Sequence, residues 1–179
     1  MNTLQRSSIL ASIVAGLCTL PGPAFSQPAG APLRIGVFDS RCVAIAHGRS
    51  ASFAEHLKNL RADLAKAKES GNEKRVKEIE QIGPTSQVLM HQQGFSTGSV
   101  RNIMQTVAGQ LPAIAGRAHV SIIVSQWELF FQDGQAELVD VTDEVVALFK
   151  PDEQTRTILE QVKKADPVPI EQISLDPRQ

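Results

Sequence analysis

SASFAEHLKNLRADLAKAKESGNEKRVKEIEQIGPTSQVLMHQQ, residues 50–93, decides the reading of this chain. Ala, Leu, Lys, Glu and Arg dominate it, and these are strong helix formers. Phe53, Leu57, Leu60, Leu64 and Ala67 recur at spacings of three and four, which puts them on one helical face that must bury against something. Between Glu55 and Glu80 seven Lys/Arg alternate with six Asp/Glu, so the remaining faces are solvated and not a nucleic-acid patch. Ser70-Gly71-Asn72 breaks the stripe, and Val76, Ile79 and Ile82 resume it. The segment reads as two helices, or one interrupted helix, forming an arm on a compact body. Gly83-Pro84 predicts a further kink or a new helix start, because proline lacks the amide proton and crowds the preceding turn.

The body lies on either side of the arm. Leu33-Arg34-Ile35-Gly36-Val37-Phe38 alternates as a strand does, and Asp39-Ser40 ends it. Cys42 to Ala46 reads as a helical turn or short helix. Phe95 to Ser99 reads as a loop. Val100, Ile103, Met104, Val107, Leu111, Ile114 and Ala115 form the clearest apolar stripe, a helix of about four turns with Pro112 as its weak point. His119 to Ser125 is the best strand, and Glu128 to Phe131 reads as another. Asp133-Gly134 is a turn signal, and Ala136 to Val139 adds a short strand or returns the chain. Asp140 or Thr142 is placed to cap a helix with Asp143 and Glu144 in its first turn, ended by Pro151. Asp152 to Lys164 reads as one more helix, and an extended tail follows from Asp166.

With 179 residues there is room for one domain with appendages. The charge is nearly balanced, 18 basic against 19 acidic residues, which implies no strong pull toward nucleic acid or anionic lipid. Tyrosine is absent and aromatics make up only 4%, too few for base-stacking platforms. Residues 1–26 read as a signal peptide: Arg6, an apolar run from Ile9 to Leu20, Pro21 and Pro23, then small residues before Gln27. The run is shorter than a bilayer span requires, so no stable membrane insertion is expected. Leu17, and not a small residue, precedes Cys18, which argues against lipoprotein processing. The mature chain is expected in the periplasm, with Cys42 its only cysteine and burial its expected fate beside Val43, Ala44 and Ile45. Residues 27–32 are a Pro/Gly/Ala linker.

The sequence carries few signatures of chemistry. There is no Gly-rich phosphate loop, nucleophile elbow, Cys-x-x-Cys or His-Glu-x-x-His. A zinc site from Cys42, His47 and a distant ligand has no recognised spacing, and a hydrolase built on Cys42 with His47 or His119 lacks an evident oxyanion loop. The expectation is a non-enzyme without metal or cofactor. Leu57, Leu60 and Leu64 read as a seam between antiparallel helices. Phe53, Val88, Leu89, Met90 and Phe95 sit near the breaks, where a seam loosens, and are the candidates for contact with partners. Ile35, Val37, Ile122, Val124, Trp127, Leu129 and Phe130 are the candidates for core or subunit interface. The two strand regions are expected to supply most of the core, and so small a body is marginal alone, which points to association of chains.

The order of these segments resembles the OmpH/Skp family of periplasmic outer-membrane protein chaperones. An exported chain opens with a strand, LRIGVFDS at 33–40. A charged helical arm follows at about 50–93, and a returning apolar helix leads to HVSIIVSQWELFF at 119–131. VDVTDEVVALF at 139–149 then carries Asp140, Thr142 and Asp143, where the family has an Asp-x-Thr before an acidic residue and the final helix. The similarity covers residues 33–150, and residues 151–179 lie beyond it. The resemblance implies an α+β fold: a small barrel-like sheet body with a protruding antiparallel helical arm, trimerising through the body. It further implies an ATP-independent holdase that captures unfolded envelope proteins by many weak contacts. The arm is shorter than is usual in that family and the chain less basic than its well-known chaperone. The alternative is therefore an envelope scaffold that displays the same body to a folded partner.

Overall fold

The computed structural model describes residues 32–173. The expected signal peptide, nearly all of the linker and the end of the tail lie outside the described residues. The fold is α+β. Strand β1 (Leu33–Phe38) is followed by helices α1 (Ser40–Gly48), α2 (Ala51–Glu69), α3 (Glu73–Phe95), α4 (Arg101–Thr106) and α5 (Leu111–Ala118). Strands β2 (Ile122–Ser125) and β3 (Ala136–Asp140) come next, then helices α6 (Thr142–Ala147) and α7 (Glu153–Lys164).

The sheet has three strands in the order β2-β1-β3, and both neighbours run parallel to β1. It is open, and no closed barrel occurs among the described residues. The register sorts the side chains into two faces. Gly36 lies level with Ile123 and Val139, and Phe38 with Ser125. This is the face that carries the helices, since Phe38, Ile123 and Val139 belong to or pack on the main core. On the other face Ile35 stands between Ile122 and Leu138, and Val37 between Val124 and Asp140. Gly36 lies at a crowded position: a Cβ there would lie 3.1 Å from Val120 Cγ2 and 3.2 Å from Ile123 Cγ1.

Helices, and not strands, supply most of the core. Cys42, Val43 and Ala46 of α1 meet Ile103 of α4, Ile114 of α5, Val145 and Val146 of α6 and Leu159 of α7, with Phe38 from the sheet. The expectation that the two strand regions provide the core is corrected here. Each of those helices turns one apolar stripe inward, and together they cover a face that β1 alone could not. Cys42 is fully buried, as its neighbours implied, and burial pushes its thiol up to about 12.

Three local expectations also change. Glu128 to Phe131 forms no strand: a 3₁₀ turn, Gln126–Glu128, is followed by irregular chain that lies beside Val37 and Leu138. β2 and β3 flank β1 in the same direction, so this connection has to cross the sheet. The stripe from Val100 to Ala115 is split into α4, a 3₁₀ turn and α5. Pro112 sits in the first turn of α5, where a missing amide costs nothing, whereas inside one long helix it would clash with the preceding turn. At Gly83-Pro84 no new helix starts, and α3 runs through its internal proline. The carbonyl left without a partner lies on an exposed stretch, open to water.

The arm itself is a helical hairpin. Ser50 caps α2 and Asn72 caps α3, each accepting from the amide three residues on, and Gly71 makes the turn at φ +68°. Leu57, Leu60 and Leu64 are half-buried and Ala67 and Ile79 buried, as a seam requires. Lys68–Glu80 and Arg75–Asp63 ion pairs tie the two helices together across it. At 19 residues, α2 reaches about 28 Å.

Candidate functional site

Where the arm joins the body, α1, α2, α3 and α4 leave a cavity of about 370 Å³. Its walls come from Ile45 and His47 of α1, Phe53 of α2, Leu89, Met90, His91 and Phe95 of α3, and Ile103 of α4. Each wall has a local cause. The Ser50 hydroxyl donates to the His47 carbonyl (2.6 Å) and accepts from the Phe53 amide (3.2 Å), which fixes the first turn of α2. The Phe53 ring then lies 5.1 Å from that of His47, which meets Phe149 edge-on at 5.7 Å. Gln93 is buried and donates to the Ser99 carbonyl and to Asn102 Oδ1, both at 2.7 Å, so the end of α3 is tied to α4. Phe95 follows, its ring 5.6 Å from His91 and 56% exposed.

The cavity is largely apolar, with Arg49 the charged residue in its wall. Burial, then the neighbouring His56, holds His47 below its ordinary 6.5. Leu89 and Met90 remain exposed at the opening. Of the partner-contact candidates, Phe53, Leu89, Met90 and Phe95 converge on this one cavity, while Val88 does not line it. Sequence reasoning missed Ile45, His47 and Ile103 as walls. Their helices are too short for a stripe to announce which neighbour they meet.

A second apolar surface lies on the sheet face away from the helices. Val37, Leu129, Phe130, Phe131 and Leu138 line a shallow hollow of about 250 Å³. Phe130 is 96% and Phe131 82% exposed, and Ile122 and Leu138 on the two edge strands are exposed as well. Among the interface candidates, Ile35, Val37, Ile122 and Val124 share this face by register, with Leu129 and Phe130 beside it. Phe131 belongs with them.

Trp127 stands apart from that group. Its indole N–H donates to Asp39 Oδ1 at 3.2 Å, and the Arg41 guanidinium lies 5.0 Å over its ring. Asp39 also accepts from Arg41 Nη2 at 2.7 Å and from the Arg41 amide at 2.9 Å, while its own amide donates to Thr142 Oγ1 at 3.0 Å. Burial by itself would raise the Asp39 carboxyl. The hydrogen bonds from Arg41 and Trp127 outweigh it and hold the group below 3.8. The cluster clasps β1, α1, α6 and the chain after α7.

Cys42 faces the Leu159 carbonyl inside the core, so it does not meet His47 at the cavity. Among the described residues no group of three or more His, Cys, Asp or Glu is placed to hold a metal, and no helix is long and apolar enough to cross a membrane. No family model matches this chain, and neither does any curated protein or solved structure.

Proposed function

We propose that this chain is an ATP-independent periplasmic holdase that binds unfolded envelope proteins and works as a homo-oligomer. This is the role implied by its resemblance to the OmpH/Skp chaperones. One observation carries the reading: a largely apolar cavity opens at the root of a charge-laced helical arm, with Phe95, Leu89 and Met90 exposed at its mouth. An unfolded segment gains by burying apolar side chains there, and the mixed charges on the arm keep the complex soluble. Met90 adapts to varied side chains because its thioether chain is flexible. Binding the unfolded form alone holds it back from aggregation by mass action and needs no catalytic group. The exposed Phe130 and Phe131, on the chain that crosses the far face of the sheet, support association of like chains, and a trimer is the state the resemblance implies.

The test is suppression of light scattering by a denatured β-barrel protein diluted from urea, with the chaperone at equal molar ratio. The wild type is expected to suppress it. Phe95→Ser combined with Met90→Ser is expected to lose most of the effect while keeping the helical signal. Scattering unchanged by the wild type would overturn the reading.

A second reading, an envelope scaffold for a folded partner, is favoured by the short hairpin and the balanced charge. It predicts that a folded protein competes for the same cavity and that denatured proteins do not.

A further inference from the structure

After α7 the chain turns back toward the root of the arm. Arg41, while gripping Asp39, donates from Nη1 to the Ala165 carbonyl at 2.8 Å and from Nη2 to the Val162 carbonyl at 3.1 Å. Three residues beyond Ala165, the Val168 amide donates to the carbonyl of Phe95 at 2.9 Å. Phe95 is the last residue of α3 and a wall of the cavity. Its carbonyl is one of those that a helix end leaves without an internal partner.

The sequence between these contacts is Asp166-Pro167-Val168-Pro169. Proline has no amide proton and fixes its own φ, and a residue before proline is held extended. The Pro167-Val168-Pro169 stretch is therefore stiff, and it has a single amide donor. That donor goes to Phe95. Little else fastens the stretch, since Val168 and Ile170 remain exposed. A stiff extended segment loses little entropy on docking. It is held well enough to occupy the place and weakly enough to leave it.

We infer that Ala165–Ile173 is a built-in strap that competes with extended apolar segments for the rim of the arm-root cavity. The inference rests on the reading of that cavity as the client site. An incoming segment lying along the end of α3 presents its own amide to the Phe95 carbonyl and displaces Val168. No strap residue lines the cavity, so a segment that also inserts a side chain holds an advantage the strap lacks. Selection then favours extended segments carrying large apolar side chains, and short polar peptides leave the strap in place.

The experiment uses the full chain and a fluorescently labelled peptide of alternating phenylalanine and serine. Fluorescence anisotropy gives its affinity for the wild type and for Val168→Pro, which removes the one donor from an exposed, already proline-flanked position. Amide hydrogen exchange at Val168 is followed in the wild type with and without peptide. The inference expects Val168→Pro to bind about three- to tenfold more tightly, the ratio one net hydrogen bond represents. It also expects the Val168 amide to be slow to exchange in the free protein and fast at peptide saturation. Equal affinities together with a Val168 amide that stays protected at saturation would overturn the strap and leave the client site standing. Absence of binding by both proteins would overturn the client site and the strap with it.

Discussion

Asp39 and Arg41 show how much a single pair of side chains decides in this chain. Both side chains are only 4% exposed, and Arg41 also caps carbonyls at the end of α7. Arg41→Met leaves a buried carboxylate unpaired and is expected to cost about 3–5 kcal/mol in urea unfolding. The pH dependence has a definite sign. The Asp39 carboxyl titrates lower in the folded chain than its ordinary 3.8, so its contribution is complete above that value and is lost as acid approaches the folded value. Acid unfolding of Asp39→Asn is expected to lack this component when compared with the wild type by circular dichroism. His47 adds another, since its lowered value makes its stabilisation complete above 6.5 and lost as pH falls through the folded value. Cys42 behaves oppositely: with its thiol pushed up to about 12, alkylation at pH 8 is expected to track only the unfolded fraction. The burial of Cys42 was legible in its apolar neighbours. The clasp was not, because Asp39 and Arg41 find their partners 88 to 124 residues away, and no local pattern encodes such a meeting.

At the scale of elements, periodicity was legible and proline was half so, while the expected cap failed: Val141, and neither Asp140 nor Thr142, stands at the N-cap of α6, which has no side-chain cap. The hairpin arm, its break at Gly71 and the helix α7 follow from residue chemistry alone. Pro84 and Pro112 carry the same local signal and have different outcomes. Pro112 falls where a helix can begin, while Pro84 rides inside α3 on an exposed stretch. Which outcome prevails depends on what packs against the flanking turns, and that is tertiary. Pro84→Ala is expected to restore the amide that bonds the Glu80 carbonyl and to slow exchange through the middle of α3. The gain is roughly 1–3 kcal/mol of local stability. Ile114, fully buried where α5 enters the core, carries the opposite prediction: Ile114→Ala is expected to cost about 2–5 kcal/mol in urea unfolding.

For the whole molecule, the sequence pointed to a small sheet and a helical arm but not to the parallel order β2-β1-β3. Strand order depends on where distant segments meet, and Phe130-Phe131, which read as part of a strand, lie in the chain that crosses the sheet. The main core is self-contained on one side of the sheet, so the case for association rests on the other side, with its two exposed phenylalanines. Phe130→Ser with Phe131→Ser is expected to lower the solution mass to that of one chain by light scattering, with folding intact. A wild type that is already monomeric at high concentration would remove this surface from the account.

The placement of β1 has a consequence in time. Of the three strands of the sheet, the first along the chain is the middle one, and its two neighbours are among the last parts of the body to appear. No rung of the sheet can close before residues 122–125 exist, and the second edge waits for Asp140. Helices can flicker along the arm meanwhile, but the body they dock on is missing, and loops this long close slowly. A nascent chain of this design stays open until most of the body has been made.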